Sequence, residues 1–167
     1  METVLAIDPG AVSGWALLTV GPSPEPILRG IFRFTKPPKG QHDSPSALVR
    51  SLLEEAAVRC MHIDRCVIED QYLGENPDSM KKLARNAGRW EEAARVAGLR
   101  VEYVFPSTWQ SAELGMRGAT SDVLRRAADA KAFGLWKLEA PEHVIDACFI
   151  GRFVAVKMDF RARRRAS

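Results

Sequence analysis

Cysteine, tyrosine, asparagine and histidine are all scarce in this 167-residue chain, at three, two, two and three residues. An odd trio of cysteines, Cys60, Cys66 and Cys148, scattered among apolar neighbours, supports neither a disulfide framework nor a zinc knuckle and reads as reduced core thiols. No apolar run approaches the roughly 18 residues of a membrane span, and the acidic opening "MET" does not read as a signal peptide, so a cytoplasmic protein without a membrane partner is expected. The length leaves no room for a second lobe, yet a domain of this size buries about two thirds of its unfolded surface and folds without metal or disulfide. Lysine is also sparse, seven against 17 arginines, and with two asparagines and three glutamines this composition resembles that of a thermophile or a GC-rich genome.

What is abundant is charge, and it is unevenly placed. The net charge is +3, but residues 157–167 hold Lys157, Arg161, Arg163, Arg164 and Arg165 against Asp159 alone. That leaves 19 of the 24 basic residues against 20 of the 21 acidic ones in residues 1–156, a nearly neutral body with a cationic end. The reading is a single domain over 1–156 and a basic C-terminal tail over 157–167 that is either a solubilising end or an arm for phosphates.

Hydrophobic patterning predicts strands over 3–8, 13–20 and 27–35, a meander turned by the proline-rich "GPSPEP". An amphipathic helix follows over 46–60, with Leu48, Leu52, Leu53, Ala56 and Ala57 on one side. Then come a strand over 65–70, a helix over 78–99 capped by Asp78 or Ser79, a strand over 100–105 and short helices, one capped by Ser121. A last helix begins at Pro141 and runs through "EHVIDACFIGRFVAV". A meander followed by alternating strands and helices predicts an α/β fold, a five-stranded mixed sheet with helices on both faces.

The first strand ends on Asp8, followed by Pro9 and Gly10, and the fourth ends on Glu69 and Asp70. Groups at the carboxyl ends of neighbouring strands converge at one sheet edge, where ligands of such sheets bind. If the first and fourth strands are neighbours, Asp8 meets one of the two carboxylates, because strand alternation sends Glu69 and Asp70 to opposite faces; the pattern alone does not choose. His143 and Asp146, three apart, share one face of the last helix. Acidic and imidazole groups gathered on a packed scaffold repel one another unless cations sit among them, and oxygen-rich clusters suit Mg²⁺ or Mn²⁺. His42 and His62 have no such company and read as ordinary structural residues.

Four stretches, "AIDPGAVSGWALL", "VIEDQYLGENPDSMKKLARNAG", "VEYVFPSTW" and "HVIDACFIGRF", stand in the order and spacing of the RuvC family of Holliday junction resolvases, which the chain resembles over nearly its whole length as a phage-type or divergent member. The resemblance implies a ribonuclease H-like fold, a homodimer in a bacterial or phage-infected cell, and cleavage of four-way DNA junctions at symmetric positions with Mg²⁺ or Mn²⁺, two ions per active site. By position it implies that Asp8, Glu69, His143 and Asp146 are the catalytic and metal-binding set, which selects Glu69 over Asp70, and that Tyr72 is an aromatic pressing on bases at the crossover. The chain departs from the pattern in a loop one residue shorter after Asp-Pro-Gly and in lacking the lysine of that family near residue 121; neither Arg125 nor Arg126 is assigned its role.

Phosphodiester hydrolysis needs an activated water and a stabilised leaving oxygen, and two cations roughly 3.5 to 4 Å apart supply both. Lys81, Lys82, Arg85 and Arg89 crowd the half of the 78–99 helix nearest Glu69 and are expected to contact DNA phosphates rather than form only a solvated face. Leu83, Ala84, Ala87, Trp90 and Ala94 are expected to serve the core or a dimer interface. Competing functions are a ribonuclease H-like nuclease for RNA, hybrids or other branched DNA, and a junction-binding protein without catalysis, against which the full carboxylate set speaks.

Overall fold

The computed structural model describes residues 1–34, 42–70, 77–116 and 119–166. Five strands, β1 (Glu2–Asp8), β2 (Val12–Thr19), β3 (Pro26–Arg33), β4 (His62–Glu69) and β5 (Arg100–Val104), form one sheet in the order β3-β2-β1-β4-β5. The meander β1-β2-β3 is antiparallel, while β4 and β5 run parallel to β1. Among the described residues there are five helices: α1 (Pro45–Val58), α2 (Pro77–Val96), α3 (Pro106–Leu114), α4 (Ser121–Trp136) and α5 (Glu142–Ala166).

Strand alternation divides the core into two layers. Leu5, Ile7, Leu17, Cys66 and Ile68 face α1 and α2, meeting Leu48, Leu52 and Trp90. Val4, Ala6, Ala16, Leu18 and Val67 face the other way, onto α5, with α3 and α4 outside it through Trp109, Ala128 and Ala132. The mixed sheet covered on both faces is thus as the sequence predicts.

Close approach of α5 to the sheet depends on small residues. Ala147, Gly151 and Ala155 repeat every four positions on its inner side, Ala147 and Ala155 in the same core layer as Ala6 and Ala16, and Gly151 against Ala6 and Leu18. A Cβ at Gly151 would lie 2.3 Å from the Leu18 Cδ1 and 3.0 Å from the Ala6 Cβ. On β2, a Cβ at Gly14 would lie 1.8 Å from the His143 carbonyl oxygen, so the first turn of α5 seats on β2 only because Gly14 has no side chain.

Several local expectations shift. Helix α2 opens at Pro77, where a missing N–H costs nothing, so Asp78 and Ser79 lie inside its first turn rather than capping it. Thr120, not Ser121, is the residue preceding α4. Cys66 and Cys148 are buried free thiols, pushed up to about 12 by burial, but Cys60 is exposed at φ 55° in the turn after α1; its backbone bends left-handed there to return the chain to β4. Helix α5 continues ten residues past the expected boundary, through Ala166.

One buried charge ties the outer helices together. Glu113 of α3, 7% exposed, accepts from Lys131 of α4 at 3.3 Å and also pairs with Arg152 of α5. A lone buried carboxylate would be costly; two cations from two elements offset it.

Candidate active site

The parallel register of β1 and β4 pairs Ala6 with Val67 and Ile7 with Ile68. Residues in register share a face, so Asp8 and Glu69, one step further, project from the sheet edge on the α5 side with Ala6 and Val67. Asp70 falls on the opposite side, where its charge acts on Tyr103. The ambiguity between the two carboxylates is thereby resolved by the pleat: Glu69 is the one that meets Asp8.

Helix α5 brings the other two groups. His143 and Asp146 occupy its first turns, and His143 Nδ1 lies 2.6 Å from Asp8 Oδ2. Asp8 is 8% exposed. Burial, with Asp8 and Asp146 nearby, raises Glu69 from 4.5 to about 8. Burial, with Asp8 and Glu142, raises Asp146 from 3.8 to about 7. His143 is raised too, chiefly by its hydrogen bond to Asp8. All four residues therefore feel one another's charge.

Residues to which sequence reasoning gave no part in the site hold this arrangement. Trp109 of α3 donates its Nε1–H to Glu69 Oε1 at 2.7 Å and stacks within 7° of parallel on Phe149. On the other side, the Gly10 carbonyl accepts from Asn86 Nδ2 at 3.0 Å and from Ser13 Oγ at 3.2 Å, and Ser13 in turn accepts from Trp90 Nε1 at 3.1 Å. Thus α2 clamps the Asp-Pro-Gly turn. The one available signal was chemical: an indole N–H or a side-chain amide that becomes buried needs a hydrogen-bond partner.

Among the described residues, no three His, Cys, Asp or Glu side chains are arranged to hold a metal ion; His143 is hydrogen-bonded to Asp8 and Glu69 to Trp109. The chemistry of the donor set nevertheless fits a hard divalent cation: three carboxylates and one imidazole, two of the carboxylates held well above their ordinary range by burial and mutual repulsion. A small cleft of about 100 Å³ opens beside Asp146, lined also by Trp109, Gln110, Ser121, Arg125 and Glu142. Arg125 lies 3.8 Å from Glu142, so of the two arginines near the start of α4 it is the one on the wall of the acidic site.

The cationic residues of α2 are all exposed. Lys82 and Arg89 stand four before and three after Asn86, on the side of the helix that reaches the Asp-Pro-Gly turn, and Arg89 lies 5.3 Å over the Phe34 ring. Lys81 and Arg85 flank them. Ala87, Trp90 and Ala94 are core residues, whereas Leu83 is half-buried and Ala84 exposed. Tyr72 lies outside the described residues. His62 is exposed on β4, and His42 lines a cleft between β3 and α1, away from the carboxylates.

The architecture is a ribonuclease H-like α/β fold with an acidic cluster at one sheet edge. Its structure is similar to that of RuvC from Thermus thermophilus in complex with Holliday junction substrate, with a TM-score of 0.73 at 19% identity over 96% of this chain and 97% of that one. A second structure of Thermus thermophilus RuvC aligns at a TM-score of 0.67 and 17% identity, covering 95% and 96% of the two chains. No protein-family profile and no curated protein sequence matches this chain. At such identities the likeness establishes the fold.

Proposed function

We propose that this protein is a divalent-metal-dependent endonuclease that resolves four-way DNA junctions as a homodimer, by paired symmetric nicks. The observation that carries the proposal is the meeting of Asp8, Glu69, His143 and Asp146 from three separate elements at one sheet edge. Fold similarity to a protein solved with Holliday junction substrate supports the choice of DNA.

Asp8, Glu69 and Asp146 would hold Mg²⁺ or Mn²⁺, two ions per site, which would supply the Lewis acidity that makes water nucleophilic and steadies the leaving oxygen. The residues do the rest. Asp8 fixes the imidazole through Nδ1, which leaves Nε2 as the nitrogen able to take a proton from the attacking water. Trp109 fixes one oxygen of Glu69, so that carboxylate does not rotate as charge develops. Arg125, on the wall beside Asp146, offers a cation to the phosphate being cut. Lys81, Lys82, Arg85 and Arg89 contact the flanking phosphates, with Tyr72 acting on bases at the crossover.

The competing reading is a nuclease with the same centre and a different substrate. Cleavage of a labelled four-way junction, measured against duplex, flap, Y-shaped and RNA–DNA hybrid competitors, separates the two. Preferential paired cutting of the junction is expected; equal or faster cutting of a competitor overturns junction selectivity.

A further inference from the structure

The end of α5 is built differently from the rest of that helix. Core contacts stop near Val154, Ala155 and Met158, yet the helix runs on to Ala166 with residues 160–165 exposed. Phe153, Lys157, Phe160 and Arg164 follow one another at spacings of four, three and four, which places them in one stripe. Ring and cation alternate along it: Lys157 Nζ lies 5.6 Å from the Phe153 ring centre and the Arg164 guanidinium 5.7 Å from that of Phe160. Arg161, four after Lys157, widens the stripe. Arg163 projects from another side and pairs with Asp159 at 2.9 Å.

The stripe continues toward the acidic centre. Phe153 is also a wall of a cleft of about 710 Å³ between α3, α4 and α5, whose polar lining is Ser107, Thr108, Gln110 and Ser111. Gln110 and Leu124 belong both to this cleft and to the small one beside Asp146. A connected surface thus leads from carboxylates, past hydroxyl and amide groups, to a projecting row of cations.

We infer that this surface holds a DNA arm outside the catalytic centre, its phosphates running along the cleft and onto Lys157, Arg161 and Arg164. The inference rests on the proposed nuclease function and adds to it an anchoring site. Charge selects the occupant. A second copy of the helix would set like cations against each other, whereas a polyanion releases its counterions on meeting them. Lys157 and Arg164 are about 10 Å apart along the axis, so they engage separate phosphates.

The test is a salt titration of binding by the full-length protein, on a long-armed four-way junction and on plain duplex of the arm sequence. Lys157→Ala, Arg161→Ala and Arg164→Ala combined should reduce the slope of log affinity against log salt by about two to three, at roughly 0.9 per phosphate contact. Arg164→Glu should weaken binding further than Arg164→Ala. Arg163→Ala, which removes the same charge from another side, should leave the slope unchanged. An unchanged slope in the triple variant, or an equal loss with Arg163→Ala, overturns the inference, as does loss of binding to anionic vesicles with DNA binding intact. Junction cutting by the wild type, followed in parallel, reports separately on the nuclease reading: slope changes without any cutting would support the anchoring site and reject the nuclease.

Discussion

His143 Nδ1 and Asp8 Oδ2 are 2.6 Å apart, a bond between residues 135 positions apart in the chain. It joins the end of the central strand to the first turn of the longest helix, and it raises the imidazole's affinity for its proton. Removing the ring should cost more in chemistry than in folding, because His143 is only half-buried. His143→Ala is expected to cut single-turnover junction cleavage by about 10² to 10⁴, the range for general acid–base groups, with junction affinity near wild type. Cleavage within about tenfold of wild type would remove His143 from the mechanism.

Gly14 and Gly88 make opposite predictions for the same substitution. At Gly14 a methyl group would collide with the His143 carbonyl at 1.8 Å, whereas at Gly88 nothing lies within 4 Å. Gly14→Ala should therefore destabilise by at least about 1–3 kcal/mol and disturb the His143–Asp8 bond. Gly88→Ala, inside α2, should stabilise by about 0.4–1 kcal/mol. Chemical denaturation measures both; a neutral Gly14→Ala would contradict the close seating of α5.

Trp109 is a positioning residue, so its loss should appear in metal affinity. Trp109→Phe keeps a ring against Phe149 and deletes the bond to Glu69. The concentration of Mn²⁺ giving half-maximal cleavage should rise 10- to 100-fold, at the scale seen when an outer hydrogen-bond partner of a metal ligand is lost. An unchanged requirement together with a lower melting temperature would leave Trp109 with a packing role alone.

The raised carboxylates set a pH dependence for the metal-free protein. Glu69 goes from 4.5 to about 8 and Asp146 from 3.8 to about 7, so the folded chain holds these protons more tightly than the unfolded one. Their favourable contribution is complete below the unfolded values and is lost as pH rises through the folded ones. His143, also raised, acts in the same direction. Melting temperature in chelator should fall between about pH 4.5 and 8, and Mn²⁺ at pH 8 should restore it. Glu69→Gln should flatten the fall. A melting temperature that climbs across this window would contradict the buried acidic cluster.

The sheet was legible because β1 and β4 carry near-continuous apolar runs that end in carboxylates, and period-two alternation left one question, which side Glu69 takes. Only the register against β1 answers it. Trp109, Asn86 and the Glu113–Lys131–Arg152 cluster were not legible: each acts through a partner on another element, and no local pattern encodes such a pairing. The helical form of residues 157–166 was hidden for a different reason, since a run of arginines has good helix propensity but also the composition of a solvated tail. Cys60 reads as core by its neighbours, and the turn after α1 turns it outward.

The central claim is metal-dependent cutting by the acidic edge, and one labelled four-way junction incubated with saturating protein and Mn²⁺ tests it most directly, in wild type and in Asp8→Asn. The account predicts two symmetrically placed nicks with wild type, none in excess chelator, and none with Asp8→Asn although that variant still binds the junction. An intact junction after incubation with wild type and Mn²⁺, or undiminished cutting in chelator or by Asp8→Asn, would contradict it.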